Sequence, residues 1–344
     1  MYDSNTTPYD GLMDWNRRMR EDWDRRAIED AEHFIYPRDS AADVSDFARS
    51  GEANYAQLVR PFLPVLLSGS QPKSCRVVEI GCGIGRMTQW FARDFGFVDA
   101  LDVSPAMIEG ARRRLRHLPN VAFHIGSGSD LAPLADGSSD LVFSYIVFQH
   151  IPSREVIGNY VREAARVLKD GGTFKFQLNG DQSPAVLAHE PDTWLGATFT
   201  EPEAVSMLTH AGFSVIATEG VGKQYFVITA RKGGPLRQRS YILPGETWAE
   251  PFLLEGFGDA VDRSWRPMAA RARVRLEGHG TRLYLGLYFW PESCRHVLTM
   301  AGRSFEVTEP GDHYFECPGA GGEIAIEMDP APARPPAFRV IGLY

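Results

Sequence analysis

Residues 79–115 read EIGCGIGRMTQWFARDFGFVDALDVSPAMIEGARRRL, and their reading decides the fold. The apolar run Arg76–Ile80 is strand-like, and a helical pattern follows over 86–95. Between them lies Glu79-Ile80-Gly81-Cys82-Gly83-Ile84-Gly85. Glycines at such a junction permit a tight strand-to-helix turn and let backbone approach a ligand closely. The next strand-like run, 97–101, ends at Asp102, and Pro105 follows where a helix would start. An acid at the tip of a second strand can accept hydrogen bonds from both hydroxyls of a ribose. One nucleoside ligand can therefore lie across the carboxyl ends of the first two strands.

Rival readings of the glycine cluster fail on spelling. A phosphate-binding P-loop needs Gly-Lys-Ser/Thr, which is absent. The dinucleotide pattern G-x-G-x-x-G needs glycine at position 86, which is Arg86, and has no use for Glu79. A plain turn needs no acid at a set distance downstream.

Outward from this stretch the pattern alternates. Strand-like runs at 76–80, 97–101, 121–125, 140–146, 173–178 and 213–217 are separated by helical stretches at 86–95, 105–116, 153–168 and 201–211. Strands alternating with helices of this length signal a parallel α/β sheet. Gln224–Ala230 follows 213–217 with no helix between, which predicts an antiparallel pair at the sheet's end. Upstream, residues 10–68 read as helical, with Trp15, Met19 and Trp23 at helical spacing and a second helix over Asn54–Leu67. Downstream of the breaker-rich Arg231–Pro235, short alternating runs separated by Gly and Pro predict a β-sandwich. The expected domains are a helical cap or lid over 1–70, a Rossmann-like α/β core over 71–232, and an all-β sandwich over 240–344.

The segment 79–115 resembles motifs I and post-I of the class I, Rossmann-like S-adenosylmethionine-dependent methyltransferases. The acid-x-Gly-x-Gly-x-Gly pattern, the acid ending strand two and the Ser-Pro-x-Met helix start all match. The resemblance covers roughly residues 30–232 and implies S-adenosyl-L-methionine as cofactor. It implies that Gly81, Gly83 and Gly85 form the loop under the methionine half, with Cys82 a filler inside it. Glu79 would organise that loop, Asp102 would hold the ribose, and Val103 and Met107 would pack on the adenine. The family's adenine-side acid would fall at Ser127. Here the stretch is Gly126-Ser127-Gly128-Ser129-Asp130-Leu131, so Ser127, Asp130 or a backbone carbonyl remain open for that contact.

Ser139–Pro152 (SDLVFSYIVFQHIP) resembles the fourth-strand segment of the small-molecule members. It places Gln149 and His150 beside the transferring methyl. Methyl transfer is an in-line displacement whose barrier falls mainly through alignment. A base helps when the acceptor must lose a proton. Imidazole has a suitable ordinary pKa, so His150 is the candidate base, with a structural role on the cofactor floor as the alternative. Leu168–Thr173 resembles the turn before strand five, which ends at Gln177, Leu178 and Asn179. Gln177 and Asn179 would face the acceptor. Trp194 is expected as lid or pocket, Tyr225 as core, and Tyr36 in the lid with Trp15, Trp23 and Tyr55.

The bulk numbers agree with a globular enzyme. Of 344 residues 44% are hydrophobic and 23% charged, and the net charge is −8. This acidic balance argues against nucleic acid as partner. The arginines at 112, 113, 114 and 116 read as a solvated helix face near a helix C-terminus. Cys75, Cys82, Cys294 and Cys317 have neither disulfide-framework nor zinc spacing, so free thiols in a cytoplasmic protein are expected, with no metal. No apolar run reaches membrane-spanning length, so no membrane partner is expected. Neither the Asn/Asp-Pro-Pro-Tyr motif of amino-methylating nucleic-acid enzymes nor the Pro-Cys of pyrimidine C5 enzymes is present.

The resulting expectation is methyl transfer to an O or N atom of a small molecule: a sugar, glycoside or natural-product intermediate. The alternatives are a protein methyltransferase docking its target through the β domain, and a non-catalytic cofactor-binding scaffold. In the β domain, Tyr284, Tyr288, Phe289 and Trp290 could stack on sugars, and Arg271, Arg273 and Arg275 share one strand face. The competing reading is an aromatic core, a solvated arginine face and homodimerisation through this domain.

Overall fold

A computed structural model describes residues 8–36, 44–68, 70–233, 241–245, 252–261, 265–276, 282–291 and 295–343. Cys294 and, in the breaker-rich linker, Gly234 and Pro235 lie outside the described residues. The chain divides into two compact units. The first is Met1–Ala56, Gln71–Ile216 and Val221–Gly234; the second is Gln57–Ser70, Ala217–Gly220 and Pro235–Tyr344.

The first unit is built on β1 (Arg76–Ile80), β2 (Phe97–Asp102), β3 (Val121–Ile125), β4 (Ser139–Ser144), β5 (Leu168–Leu178), β6 (Phe213–Glu219) and β7 (Phe226–Lys232), in the order β3-β2-β1-β4-β5-β7-β6. Strands β1 to β5 pair in parallel, and β7 runs antiparallel to β5. Four of the five residues of β1 are buried, as a parallel strand covered on both faces requires. The helices of the chain are α1 (Pro8–Ile35), α2 (Val44–Leu58), α3 (Leu63–Leu66), which belongs to the second unit, α4 (Thr88–Asp94), α5 (Pro105–Arg114), α6 (Arg154–Val167), α7 (Pro184–Leu187) and α8 (Glu201–His210).

Local chemistry sets the helix ends. Ser104 caps α5 by accepting from the Met107 N–H, with Pro105 in the first turn. Thr200 and Glu203 form a capping box on α8. The helix expected over Asn54–Leu67 is broken instead: α2 stops at Leu58, a 3-10 turn spans Arg60–Phe62, and α3 follows. Pro61 and Pro64 remove the N–H groups a continuous helix would need. The helix expected from 86 begins at Thr88, because Gly85 adopts φ +85°. Beneath α6 and α8, Phe148, Phe174, Phe176, Val161, Leu208 and Phe213 form part of one core cluster.

One ionic cluster ties three strands together. Asp99 on β2 is 1% exposed and accepts from Arg76 Nε at 2.5 Å, Arg76 Nη2 at 2.9 Å and His124 Nε2 at 2.9 Å. Burial alone would raise its pKa, but the hydrogen bonds from His124 and Arg76 outweigh it and hold the carboxyl below the usual range. A folded pKa below the unfolded one gives stability that is present above the unfolded value, near 3.9, and lost as pH falls through the folded value. Asp99→Asn is expected to lower the free energy of unfolding at pH 7 by about 1–3 kcal/mol, since Arg76 keeps some solvent. In urea titrations the gap to the parent should close below about pH 4. An unchanged midpoint at pH 7 would remove this cluster from the account of stability.

The second unit holds β8 (Tyr241–Ile242), β9 (Leu253–Phe257), β10 (Arg266–Leu276), β11 (Arg282–Phe289), β12 (His296–Met300), β13 (Arg303–Val307), β14 (Gly311–Pro318), β15 (Gly322–Asp329) and β16 (Ala337–Leu343). They are ordered β13-β12-β15-β10-β16-β11-β14, with β8 on β16 and β9 on β10. Strand β10 joins the two halves: Arg266 and Pro267 pair with β16, and Arg271–Leu276 pair with β15. Ala272, Val274 and Leu276 point into a core with Leu285, Leu287, Phe289, Met300 and Ile326. The alternate residues Arg271, Arg273 and Arg275 face outward. Arg275 pairs with Glu323 at 2.7 Å, Arg273 with Glu255 at 3.2 Å, and Arg271 stands opposite Glu327. That face is a cross-strand charge ladder, not an open anion site. Tyr284 and Phe289 are buried, while Tyr288 and Trp290 meet edge to face at 5.0 Å.

No helix among the described residues is long and apolar enough to cross a membrane, and no metal-holding cluster of His, Cys, Asp or Glu occurs among them.

Candidate active site

Parallel pairing of β1 with β2 and β4 brings Ile80, Asp102 and Ser144 to one edge of the sheet. The loop after β1 folds back onto β2, with the Gly81 and Cys82 N–H groups both donating to the Leu101 carbonyl, at 2.7 and 2.9 Å. Gly81 has φ +74°, and a Cβ there would fall 2.2 Å from Val147 Cγ2, so only glycine fits under the β4 loop.

Asp102 pins this loop. Its Oδ2 accepts from the Gly83 N–H and its Oδ1 from the Ser104 N–H, each at 2.9 Å. Burial pushes its pKa up to about 6, against the pull of those backbone donors. Glu79 is 5% exposed; burial pushes it up to about 7, and Thr88 Oγ1 donates to its Oε2 at 2.6 Å. The partner of Glu79 is thus a hydroxyl at the start of α4, not the loop amides. Two acids with raised pKa on one cavity wall make this the candidate functional site.

That cavity encloses ≈ 1000 Å³ of free space, its open mouth included. Of the residues singled out from sequence, Glu79, Gly81, Cys82, Gly83, Asp102, Val103, Met107, Gly128, Asp130 and His150 line it. Gly85 does not; its N–H closes a turn on the Cys82 carbonyl at 2.9 Å. Ser127 does not either, because its hydroxyl accepts from the Ser129 and Asp130 N–H groups and shapes the loop. Ser129 is occupied by the Asn16 amide at 2.7 Å. Tyr36 is 39% exposed and off the wall, which Phe34 and Ile35 line instead.

His150 is 8% exposed, with one ring nitrogen on each of two partners. Nδ1 lies 2.6 Å from the Trp194 carbonyl, which can only accept, so Nδ1 carries the proton. Nε2 is left as acceptor, 3.1 Å from the Gln149 amide. Burial lowers the His150 pKa to about 4, so the ring is neutral near neutrality and its proton affinity is far below the ordinary imidazole value. The sequence suggested a base titrating near 7; desolvation overturns that.

Gln149, Gln177 and Asn179 are buried but off the cavity wall. Gln177 Nε2 donates to Gln149 Oε1 at 3.1 Å, and Gln177 Oε1 accepts from the Ile146 N–H at 3.0 Å. Ile146 is a β-branched residue at φ +56°, a conformation costing about 1–2 kcal/mol. Gln177 holds that strained residue at the cavity edge. Asn179 Oδ1 accepts from the Asp181 N–H at 3.0 Å and shapes the loop after β5. Trp194 is 47% exposed and off the wall, yet its ring lies 5.4 Å from His150. Tyr225, expected in the core, is 48% exposed, 6.3 Å from Tyr145.

Residues 78–176 match the family described as “Methyltransferase domain”. The match begins inside β1, ends inside β5, and so contains the glycine loop, Asp102 and His150. The chain carries a class I S-adenosylmethionine-dependent methyltransferase domain. S-adenosylmethionine is the cofactor of that family. The malonyl-[acyl-carrier protein] O-methyltransferase 1 of Ilyobacter polytropus is 27% identical over 186 residues, 51% of this chain and 67% of that protein. The ubiquinone biosynthesis O-methyltransferase of Xanthomonas oryzae pv. oryzae is 33% identical over 114 residues, 33% of this chain. The chain spans about half, 46%, of that relative's length. Among solved structures, phosphoethanolamine N-methyltransferase 1 of Haemonchus contortus is 19% identical, with 69% of this chain and 52% of that one covered at a TM-score of 0.48.

The site of the methyltransferase domain fits its cofactor on chemistry seen here. Val103, Met107, Leu101 and Leu131 make an apolar slot beside the Asp102 carboxylate, suited to a nucleoside. Helix α1 contributes Met19 and Trp23 to the same wall. Its side chains grip three loops. Asn16 bonds Ser129, Arg20 bonds the Gly126 carbonyl at 3.0 Å, and Arg26 bonds the Thr193 carbonyl at 3.1 Å. Asp24 accepts from Ser104 Oγ and from the Ala106 N–H at the start of α5.

Sequence reasoning missed Arg86, Tyr145, Asp24 and Asn16 in this methyltransferase domain. Arg86 drew notice only as the residue that breaks a dinucleotide motif. Tyr145 sits one residue past β4, where position alone could have flagged it. Asp24 and Asn16 carry no local signal, because their partners are more than 75 positions away.

Proposed function

We propose that this protein transfers a methyl group from S-adenosylmethionine to an oxygen or nitrogen atom of a small organic acceptor, with oxygen favoured. The observation that carries the reading is Asp102: a buried carboxylate that orders the glycine loop through the Gly83 N–H while lining the same cavity. The preference for oxygen and for a small acceptor rests on the two curated relatives, both named as O-methyltransferases. Sugars, glycosides and natural-product intermediates remain the acceptor classes we propose.

The cofactor supplies an electrophilic methyl group on a sulfonium. In this reading Asp102 accepts from the ribose hydroxyls, Val103 and Met107 flank the adenine, and Glu79 faces the methionine amine. Asp130, which reaches the wall while Ser127 does not, takes the adenine-side contact. Met19, Trp23, Phe34 and Ile35 exclude water and align the acceptor. His150 offers a neutral nitrogen lone pair at Nε2 once the Gln149 amide gives way. Helix α1 acts as lid.

Calorimetry with S-adenosylhomocysteine tests the reading directly. Saturable one-to-one binding is expected; with S-adenosylmethionine supplied in its place, acceptors from an extract of small metabolites gain one methyl, detected by mass spectrometry, as the cofactor becomes S-adenosylhomocysteine. A protein that takes up neither S-adenosylhomocysteine nor S-adenosylmethionine would end the proposal.

A further inference from the structure

Arg86 stands in the turn between the glycine loop and α4 and is one of the residues lining the cavity. It is 4% exposed. Nη1 is engaged by α2, donating to Asn54 Oδ1 at 2.7 Å and to Ser50 Oγ at 3.4 Å. Its backbone is equally fixed: any Cβ at Gly51 would fall 2.2 Å from the Arg86 carbonyl oxygen. Nε and Nη2 have no hydrogen-bond partner, and Arg86 forms no ion pair, among the described residues.

A desolvated guanidinium without a counter-ion is costly. Glu79 shares the wall but answers only part of that charge, because burial leaves it near half-ionised at neutrality and its Oε2 is taken by Thr88. The Tyr145 hydroxyl, also on this wall, has no hydrogen-bond partner among the described residues and is a neutral donor at pH 7. The unused Nε/Nη2 edge is the one that grips carboxylates side-on. The same edge of Arg76 holds the Asp99 carboxylate in this very protein, at 2.5 and 2.9 Å.

We propose that the Nε/Nη2 edge of Arg86, with Tyr145 on the same cavity wall, is a subsite that receives a carboxylate entering the cavity. Two molecules can bring that group: the amino-acid end of the cofactor, or an acceptor that is itself a carboxylic acid. The inference rests on the methyltransferase reading for its choice of nucleoside probes.

The test compares the parent protein with Arg86→Gln and, should that variant not fold, Arg86→Lys, which keeps the charge and loses the fork. Calorimetry measures S-adenosylhomocysteine and 5′-methylthioadenosine, which lacks the amino-acid end. Malonate is then added to the S-adenosylhomocysteine-loaded protein, with thermal unfolding as readout. If the carboxylate is the cofactor's, the variant weakens S-adenosylhomocysteine by about 10- to 100-fold and leaves 5′-methylthioadenosine within about twofold. If it is the acceptor's, both nucleosides keep their affinity, and malonate stabilises the loaded parent but not the variant. The subsite is refuted if the variant keeps both S-adenosylhomocysteine affinity and the malonate response. It is equally refuted if both nucleosides weaken together, since Arg86 is then a strut for the loop. A parent that binds neither nucleoside sinks the methyltransferase reading instead, and malonate alone on the free protein then decides the subsite.

Discussion

Asp102→Ala is expected to weaken S-adenosylhomocysteine binding by at least about 100-fold, beyond the reach of ordinary calorimetry. Two losses combine. The ribose hydroxyls lose a charged acceptor, worth about 1.5–3 kcal/mol. The Gly83 and Ser104 N–H groups lose the carboxylate that aims the loop, so the remaining cradle is no longer set. The parent should also show a pH signature. Because burial lifts Asp102 to about 6 and Glu79 to about 7, the ionised site forms only as pH rises through that window. Cofactor affinity should therefore climb from pH 5 to pH 8 and then level. The sign for stability of the free protein is opposite to that of Asp99. A carboxyl whose folded pKa lies above its unfolded value contributes stability below the unfolded value, and loses it as pH rises through the folded one. Ligand binding offsets that cost. Normal affinity in the alanine variant, or affinity independent of pH over this range, would refute the ribose assignment.

His150→Ala is expected to lower turnover at least tenfold while leaving S-adenosylhomocysteine affinity within about threefold. The ring touches Trp23 at 5.4 Å and Trp194 at 5.4 Å, so its loss opens the wall beside the acceptor and removes the Nε2 lone pair. The pH profile separates base from prop. With the His150 pKa lowered to about 4 by burial, its protonation leaves activity flat from pH 6 to 8, and any limb there belongs to Asp102 and Glu79. His150→Asn keeps a polar group and loses basicity. A base predicts that asparagine fails as alanine does; a structural residue predicts substantial rescue. An unchanged rate in the alanine variant would place His150 outside catalysis.

The glycine-loop side of the cavity was the legible side. Glycines at 81 and 83 and the acids at 79 and 102 are neighbours in sequence because a single strand-turn-helix-strand unit builds them, so spacing carries the message. The side expected to face an acceptor was not. Gln177 and Asn179 sit at the expected strand end, yet their amides are consumed by Ile146, Gln149 and Asp181. Alternation along β5 could not reveal this, because a buried amide and a pocket-facing amide have the same period. Ser127 and Asp130 were left open until the Ser127 hydroxyl was seen capping its own loop.

Sequence by itself determined the alternating order of strands and helices, the glycine loop after β1, and the carboxylate at Asp102 that pins it. Those features follow from short-range rules: hydrophobic period, glycine conformation and helix caps act within a few residues. Tertiary structure alone decided that β7 lies between β5 and β6, that α1 lines the cavity and is tied to neighbouring loops through Asp24 and Asn16, and that Arg86 is buried at the cavity wall with only Nη1 hydrogen-bonded. It also decided the protonation of Glu79, Asp102 and His150. Desolvation is a property of everything packed around a group, and residues distant in the chain supply most of that packing.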